Sequence, residues 1–172
     1  MIYKPNKMAN LTPLAIIKSL RAELSALLKG GNAHVSFQVA IKNLLPELRS
    51  KKIENVPYTI WQLVDHIRIA QHDILSFCTN SRYQSPKWPE DYWNKSDGPK
   101  GAAEWTGCIQ QISDDRRTFI NLVENEQLDL FTPFTHGEGQ NLFNEAQVIV
   151  DHTSYHTGEI ILLRRIFGDW ES

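Results

Sequence analysis

The sequence predicts an all-α fold, a four-helix bundle with long connecting loops, from three observations. Apolar residues recur at three- and four-residue spacing along four long stretches, the pattern of helices that each bury one broad stripe. Helix-capping residues and glycines bracket those stretches,. The 172 residues show no internal repeat or low-complexity segment, which fits one domain with a full hydrophobic core.

The first eleven residues read as a loose arm. Thr12-Pro13 starts the first long helix, residues 13–29, with Thr as cap and Pro where no backbone donor is needed. Its stripe is Leu14, Ile17, Leu20, Leu24, Leu27 and Leu28, and Gly30-Gly31 stops it,. Ser36 caps a short helix carrying Phe37, Ala40, Ile41, Leu44 and Leu45, closed by Pro46. Thr59 and Gln62 form a capping box before the second long helix, residues 60–79,. Ile60, Leu63, Val64, Ile67, Ala70, Ile74, Phe77 and Cys78 make its stripe. His66 falls at the edge of that stripe, while Asp65 and His72 point to the polar side. Residues 80–101 lack a helical period and carry Tyr83, Trp88, Tyr92, Trp93 and three prolines. A loop this long in a compact domain usually covers or binds something. The third helix, residues 102–123, is built on Trp105, Cys108, Ile109, Ile112, Phe119, Ile120 and Val123, with one cation, Arg116, inside the stripe. In the connection that follows, residues 128–135 suit short extended segments and His136-Gly137-Glu138-Gly139 a turn,. Asn141 caps the fourth helix and Gly168 ends it.

Composition narrows the functional classes. A formal net charge of −2 lacks the basic excess of a nucleic-acid surface. No apolar run approaches the roughly 20 residues of a membrane span, and Met1–Lys7 holds no apolar core of a signal peptide,. Cys78 and Cys108 sit in helical apolar patterns, the habit of free thiols in a reducing compartment. The expectation is a cytoplasmic protein without membrane or nucleic-acid partners.

The fourth helix carries the most informative pair. His152 and His156 are four residues apart, so they stack on one helix face. Both fall within a stripe containing Leu142, Val148, Ile149, Tyr155, Ile160, Leu163, Ile166 and Phe167. Two core histidines satisfied by hydrogen bonds fit this spacing. A shared metal ion fits it too, because neutral imidazole is a common ligand. His66 on another helix offers a third ligand and favours the metal.

Three segments together resemble a known family. They are Trp61–Gln71, His136–Gln140, and Asp151–Glu159 with Leu163-Arg164-Arg165. In order and spacing they are similar to the DinB-like superfamily, over residues 12 to 170. The resemblance implies a bundle with up-down-down-up connections and a divalent metal held by three histidines. Those positions are His66, His152 and His156, so this chain keeps the whole set. Members of known activity are thiol-dependent transferases or isomerases, such as bacillithiol transferases and mycothiol-dependent maleylpyruvate isomerase. Dimers are common among them, so a homodimer is expected.

Other residues are candidates around that centre. Glu145 and Glu159 lie one or two turns from the pair, where each suits a ligand-orienting acceptor or a base. A carboxylate at the bundle edge is the plainer reading, preferred for Glu159. Arg116 reads as a snorkelling side chain at a bundle end or, more sharply, as a clamp for a substrate anion. Trp88 and Trp93 suit a substrate wall, a packed loop or an interface. His34 reads as a substrate contact or a local cap. His72 and His136 read as surface residues.

Two functional classes follow. In one, a zinc, nickel or iron ion activates a low-molecular-weight thiol or a water against a small electrophilic or hydrolysable substrate. In the other, the chain is a non-catalytic metal-binding bundle for stress response or interaction.

Overall fold

The computed structural model describes residues 12–30 and 33–170; the expected arm at 1–11 lies outside them. The described residues form α1 (Pro13–Lys29), α2 (Phe37–Ile41), a 3-10 turn (Pro46–Leu48), α3 (Ile60–Thr79), α4 (Ala102–Glu124) and α5 (Leu142–Ile166). No strand occurs among them, so the fold is all-α.

The helix starts follow from their caps. Thr12 accepts the Ala15 N–H at 3.3 Å and Asn141 accepts that of Asn144 at 2.9 Å. Thr59 and Gln62 close the full capping box. Each satisfies a donor that the first helical turn leaves free. α5 stops before Gly168, whose φ of 73 reverses the chain,.

Three local expectations change. α2 ends at Ile41 rather than Leu45, because Asn43 turns left-handed at φ 56 and Pro46 cannot extend a helix,. Leu44 is still buried. The segment 128–135 is a string of turns: Asp129 takes the N–H groups of Phe131 and Thr132 at 2.6 and 2.9 Å. A side chain that satisfies the backbone locally removes the need for a strand partner. The stripes are also narrower than their apolar residues. Leu14, Val148, Tyr155 and Ile166 are exposed, whereas Asp65, expected on the polar side, is buried.

α3 packs on α4 and α5, α1 packs on the same two helices, and α2 lies on α5. The apolar side chains collect in two clusters. One joins Phe37, Ile60, Leu63, Trp105 and Ile112 to Ile160 and Leu163. The other joins Leu24, Leu28, Leu75, Phe119 and Val123 to Leu142, Ala146 and Ile149. Along α5, the residues between the two clusters include His152, Thr153, His156 and Thr157. That polar interval positions the site. No helix of the described residues is long and apolar enough to cross a membrane.

Candidate metal centre

α3 contributes His66 and α5 contributes His152 and His156, one turn apart. One ring nitrogen from each lies within 4.8 Å of the others. The Nε2 atoms of His66 and His152 are 2.9 Å apart, and the ring centroids are separated by 4.5 to 4.7 Å. Ligand bonds of about 2.0–2.1 Å in a tetrahedron put nitrogens about 3.4 Å apart, between the two spacings found here.

Two of the three outer ring nitrogens are held from behind. His66 Nδ1 faces the Tyr92 carbonyl at 2.9 Å and His156 Nδ1 faces Glu159 Oε2 at 2.6 Å. A carbonyl only accepts, so His66 carries its proton on Nδ1 and turns the Nε2 lone pair inward. The Glu159 carboxylate fixes His156 the same way. These are the orienting bonds that metal-bound imidazoles make.

Packing fixes the rings further. Trp93 stacks on His66, centroids 3.8 Å apart and planes 8° from parallel, and Tyr58 stacks on the far face of Trp93 at 3.8 Å. His66 and His156 are buried and His152 is half-buried. Burial pushes the His152 imidazole down to about 3, helped by its two neighbours. It pushes His156 down to about 4 and lowers His66 as well. All three are therefore neutral near pH 7. The His156–Glu159 contact is a hydrogen bond from a neutral ring, not an ion pair. Three converging neutral imidazoles, two with the inner nitrogen set as an acceptor, are the donor set a borderline divalent ion takes, so the residues fit the ion.

Comparison with family models, curated proteins and solved structures found no match.

The remaining candidates scatter. Glu145 makes no hydrogen bond to a histidine among the described residues; burial and then Asp73 raise its carboxyl, seven residues before His152. Glu159 makes the contact instead, against the plainer reading of it as an edge carboxylate. Its i,i+3 spacing from His156 was the available signal. Of the two loop tryptophans, Trp93 walls the centre, while Trp88 is 67% exposed and meets Tyr92 edge-on. His34 is exposed and bonds Val35 O and Ser154 Oγ. It borders a surface groove of about 810 Å³ with Val39, Arg164 and Trp170, away from the three rings. Arg116 does not snorkel at an end. It is buried in mid-helix, where Nε donates to Gln71 Oε1 at 3.0 Å and Nη2 to Thr153 Oγ1 at 3.1 Å. Asp65 is occupied by Arg68 at 2.6 Å and by Asn94 at 3.0 Å. His72 pairs with Asp115 and exposed His136 bonds Phe77 O. The Tyr92 carbonyl is a functional group with no side-chain signature in the sequence.

Proposed function

We propose that the chain is a DinB-like four-helix bundle whose His66, His152 and His156 hold a divalent zinc, nickel or iron ion, and that it is a metal-dependent enzyme for a small electrophilic or hydrolysable substrate. The convergence of three neutral imidazoles, two of them held from behind by Tyr92 O and Glu159, carries this reading.

The helix contacts support an up-down-down-up order. α3 and α4 meet at Arg68–Gln111, Gln71–Ile112 and His72–Asp115, with numbers rising together. The start of α3 shares a cluster with the end of α5, and the end of α3 shares the other with the start of α5. α1 runs from Arg21, bonded to Val123 O, toward Leu28, beside Arg116 and Thr153.

When bound, the ion supplies a Lewis acid with an open position that makes a water or a low-molecular-weight thiol more acidic. The chain's own residues do the rest. Tyr92 O and Glu159 keep protons on the outer nitrogens and hold the inner ones as acceptors. Trp93 keeps water off one face of His66. Half-buried His152 marks the side open to a substrate. Transfer of the thiol to an electrophile is preferred over hydrolysis by family resemblance. A homodimer belongs to the same proposal: exposed Val148, Tyr155 and Leu162 recur every seventh residue on α5, a stripe a second copy would cover.

Titration calorimetry with Zn²⁺, Ni²⁺ and Fe²⁺ tests the centre. One ion should bind the native chain and none the His152→Ala/His156→Ala variant. Equal, negligible binding by both would end the proposal. Turnover is then sought with cofactor thiols and electrophiles. Exposed Trp88 favours one second reading, a non-catalytic partner-binding bundle, in which the metal binds and no thiol–electrophile pair turns over.

A further inference from the structure

α5 carries a second polar row beside the histidines. Thr153 and Thr157 follow His152 and His156 by one residue, about 100° around the helix. They border a cavity of about 20 Å³ together with Leu28 of α1, Phe37 of α2 and Arg116 of α4. Arg116 is 6% exposed and Thr157 1% exposed. The Thr157 hydroxyl has no hydrogen-bond partner among the described residues.

The charge balance at Arg116 is unusual within this protein. Buried Arg164 pairs with Asp169 at 2.8 Å. Buried Arg21 donates to Val123 O and Leu128 O where α4 ends, where helix carbonyls carry partial negative charge. Arg116 has only the neutral Gln71 and Thr153, and Gln71 spends its amide on Ile112 O at 2.7 Å. No carboxylate pairs with Arg116 among the described residues. Burial alone draws its pKa down to about 10, which leaves it cationic at neutral pH. A buried, unpaired cation is costly, and structures normally supply a counter-charge.

We propose that this cavity is a halide site: one chloride ion neutralises Arg116 and accepts hydrogen bonds from the guanidinium and the hydroxyl of Thr157. The size selects the ligand. A water-sized body needs at least about 10–15 Å³, so the cavity takes one monatomic ion and excludes sulfate, phosphate and a substrate carboxylate. Water fits equally well but leaves the charge unmatched. Arg116 also borders a surface groove, a route to solvent, whose own cations are already paired, Lys29 with Glu124 and Arg117 with Asp114. The site stands apart from the metal proposal, since it uses neither the histidines nor their orienting partners.

Two measurements on the full chain test it. Crystals soaked in bromide should show an anomalous peak in the cavity within hydrogen-bond reach of Arg116 and Thr157; an ordered water there, or an empty cavity, overturns the site. In solution, chloride should raise the melting temperature above that in fluoride at equal ionic strength and saturate. Thr157→Val should weaken that chloride dependence about tenfold, the scale of a hydrogen bond to a charged group. Arg116→Met should abolish it; if that variant does not fold, Thr157→Val still decides. Chloride dependence identical in native chain and Thr157→Val, or a Thr157→Val chain more stable than native in chloride, overturns the proposal, because removing an unpartnered buried hydroxyl from an empty cavity stabilises.

Discussion

The connections 80–101 and 125–141 are both long and aromatic, and both lie against α3, yet they do opposite work. The first follows the polar side of α3. Tyr92 gives its hydroxyl to Asp73 at 2.6 Å and its carbonyl to His66, Asn94 bonds Asp65 and Gln62, and Asp97 O takes the Thr59 hydroxyl. The second closes an apolar end. Leu130 is buried in the cluster of Leu24, Phe119 and Leu142, with Phe134 packed against it. Its bonds are mostly its own backbone's, Phe134 N to Gln140 O and Phe143 N to Leu130 O. Composition alone does not separate a loop that builds a site from one that plugs a core. The helix surface beneath decides, polar for the first and apolar for the second.

The comparison can be broken by mutation. Leu130→Ala should cost the most stability, about 2–5 kcal/mol for an emptied core position, read by denaturant unfolding, with metal affinity unchanged. Trp93→Ala should do the converse. Metal affinity should fall about 10–100-fold, as when supporting groups around a ligand are lost, with a smaller loss of stability than Leu130→Ala. If Leu130→Ala weakens the metal and Trp93→Ala does not, the division of labour is wrong. Glu159→Gln sharpens the point without touching either loop: a tenfold loss by calorimetry is expected, since the amide still accepts the His156 proton but without charge. Smallest of all, His136→Gln at the exposed turn should change stability by less than about 0.5 kcal/mol.

Acid gives a further, graded test on the metal-free protein. The three imidazoles have folded pKa values below the ordinary 6.5, at about 3 for His152 and about 4 for His156. The unfolded chain then binds more protons below pH 6.5, so stability rises with pH in that window. Neutral imidazole contributes fully above about 6.5 and its contribution is lost as pH falls toward 4 and 3. Melting temperature against pH should drop there, and His152→Phe should flatten the curve. A native curve level between pH 7 and 4 would contradict the buried, neutral centre.

Much of the frame was legible in the sequence. The caps at Thr12, Thr59 and Asn141 act within four residues of themselves, so local chemistry set α1, α3 and α5 closely. The meeting of His152 and His156 was legible because their four-residue spacing is also local, and one resemblance joined His66 to them across two helices. What was not legible depends on long-range contact. Val148 and Tyr155 match the apolar period but face outward, because no neighbour among the described residues covers that side of α5. Asp65 is buried only because Asn94 and Arg68 reach it. Arg116 read as a snorkelling side chain at a bundle end, but it is buried in mid-helix beside α1 and α5. Trp93 and the Tyr92 carbonyl reach His66 through a loop whose path no periodicity encodes.

The stack of Trp93 on His66 has an optical consequence. In the proposed centre, the indole stacked 3.8 Å from the His66 ring would lie within quenching range of a bound ion. Open-shell nickel or iron would quench its emission, while closed-shell zinc, with no redox chemistry of its own, would leave it bright. The chain has five tryptophans, so the difference between native protein and Trp93→Phe isolates this one. The proposed centre would thus carry its own dye, able to tell which kind of ion has arrived.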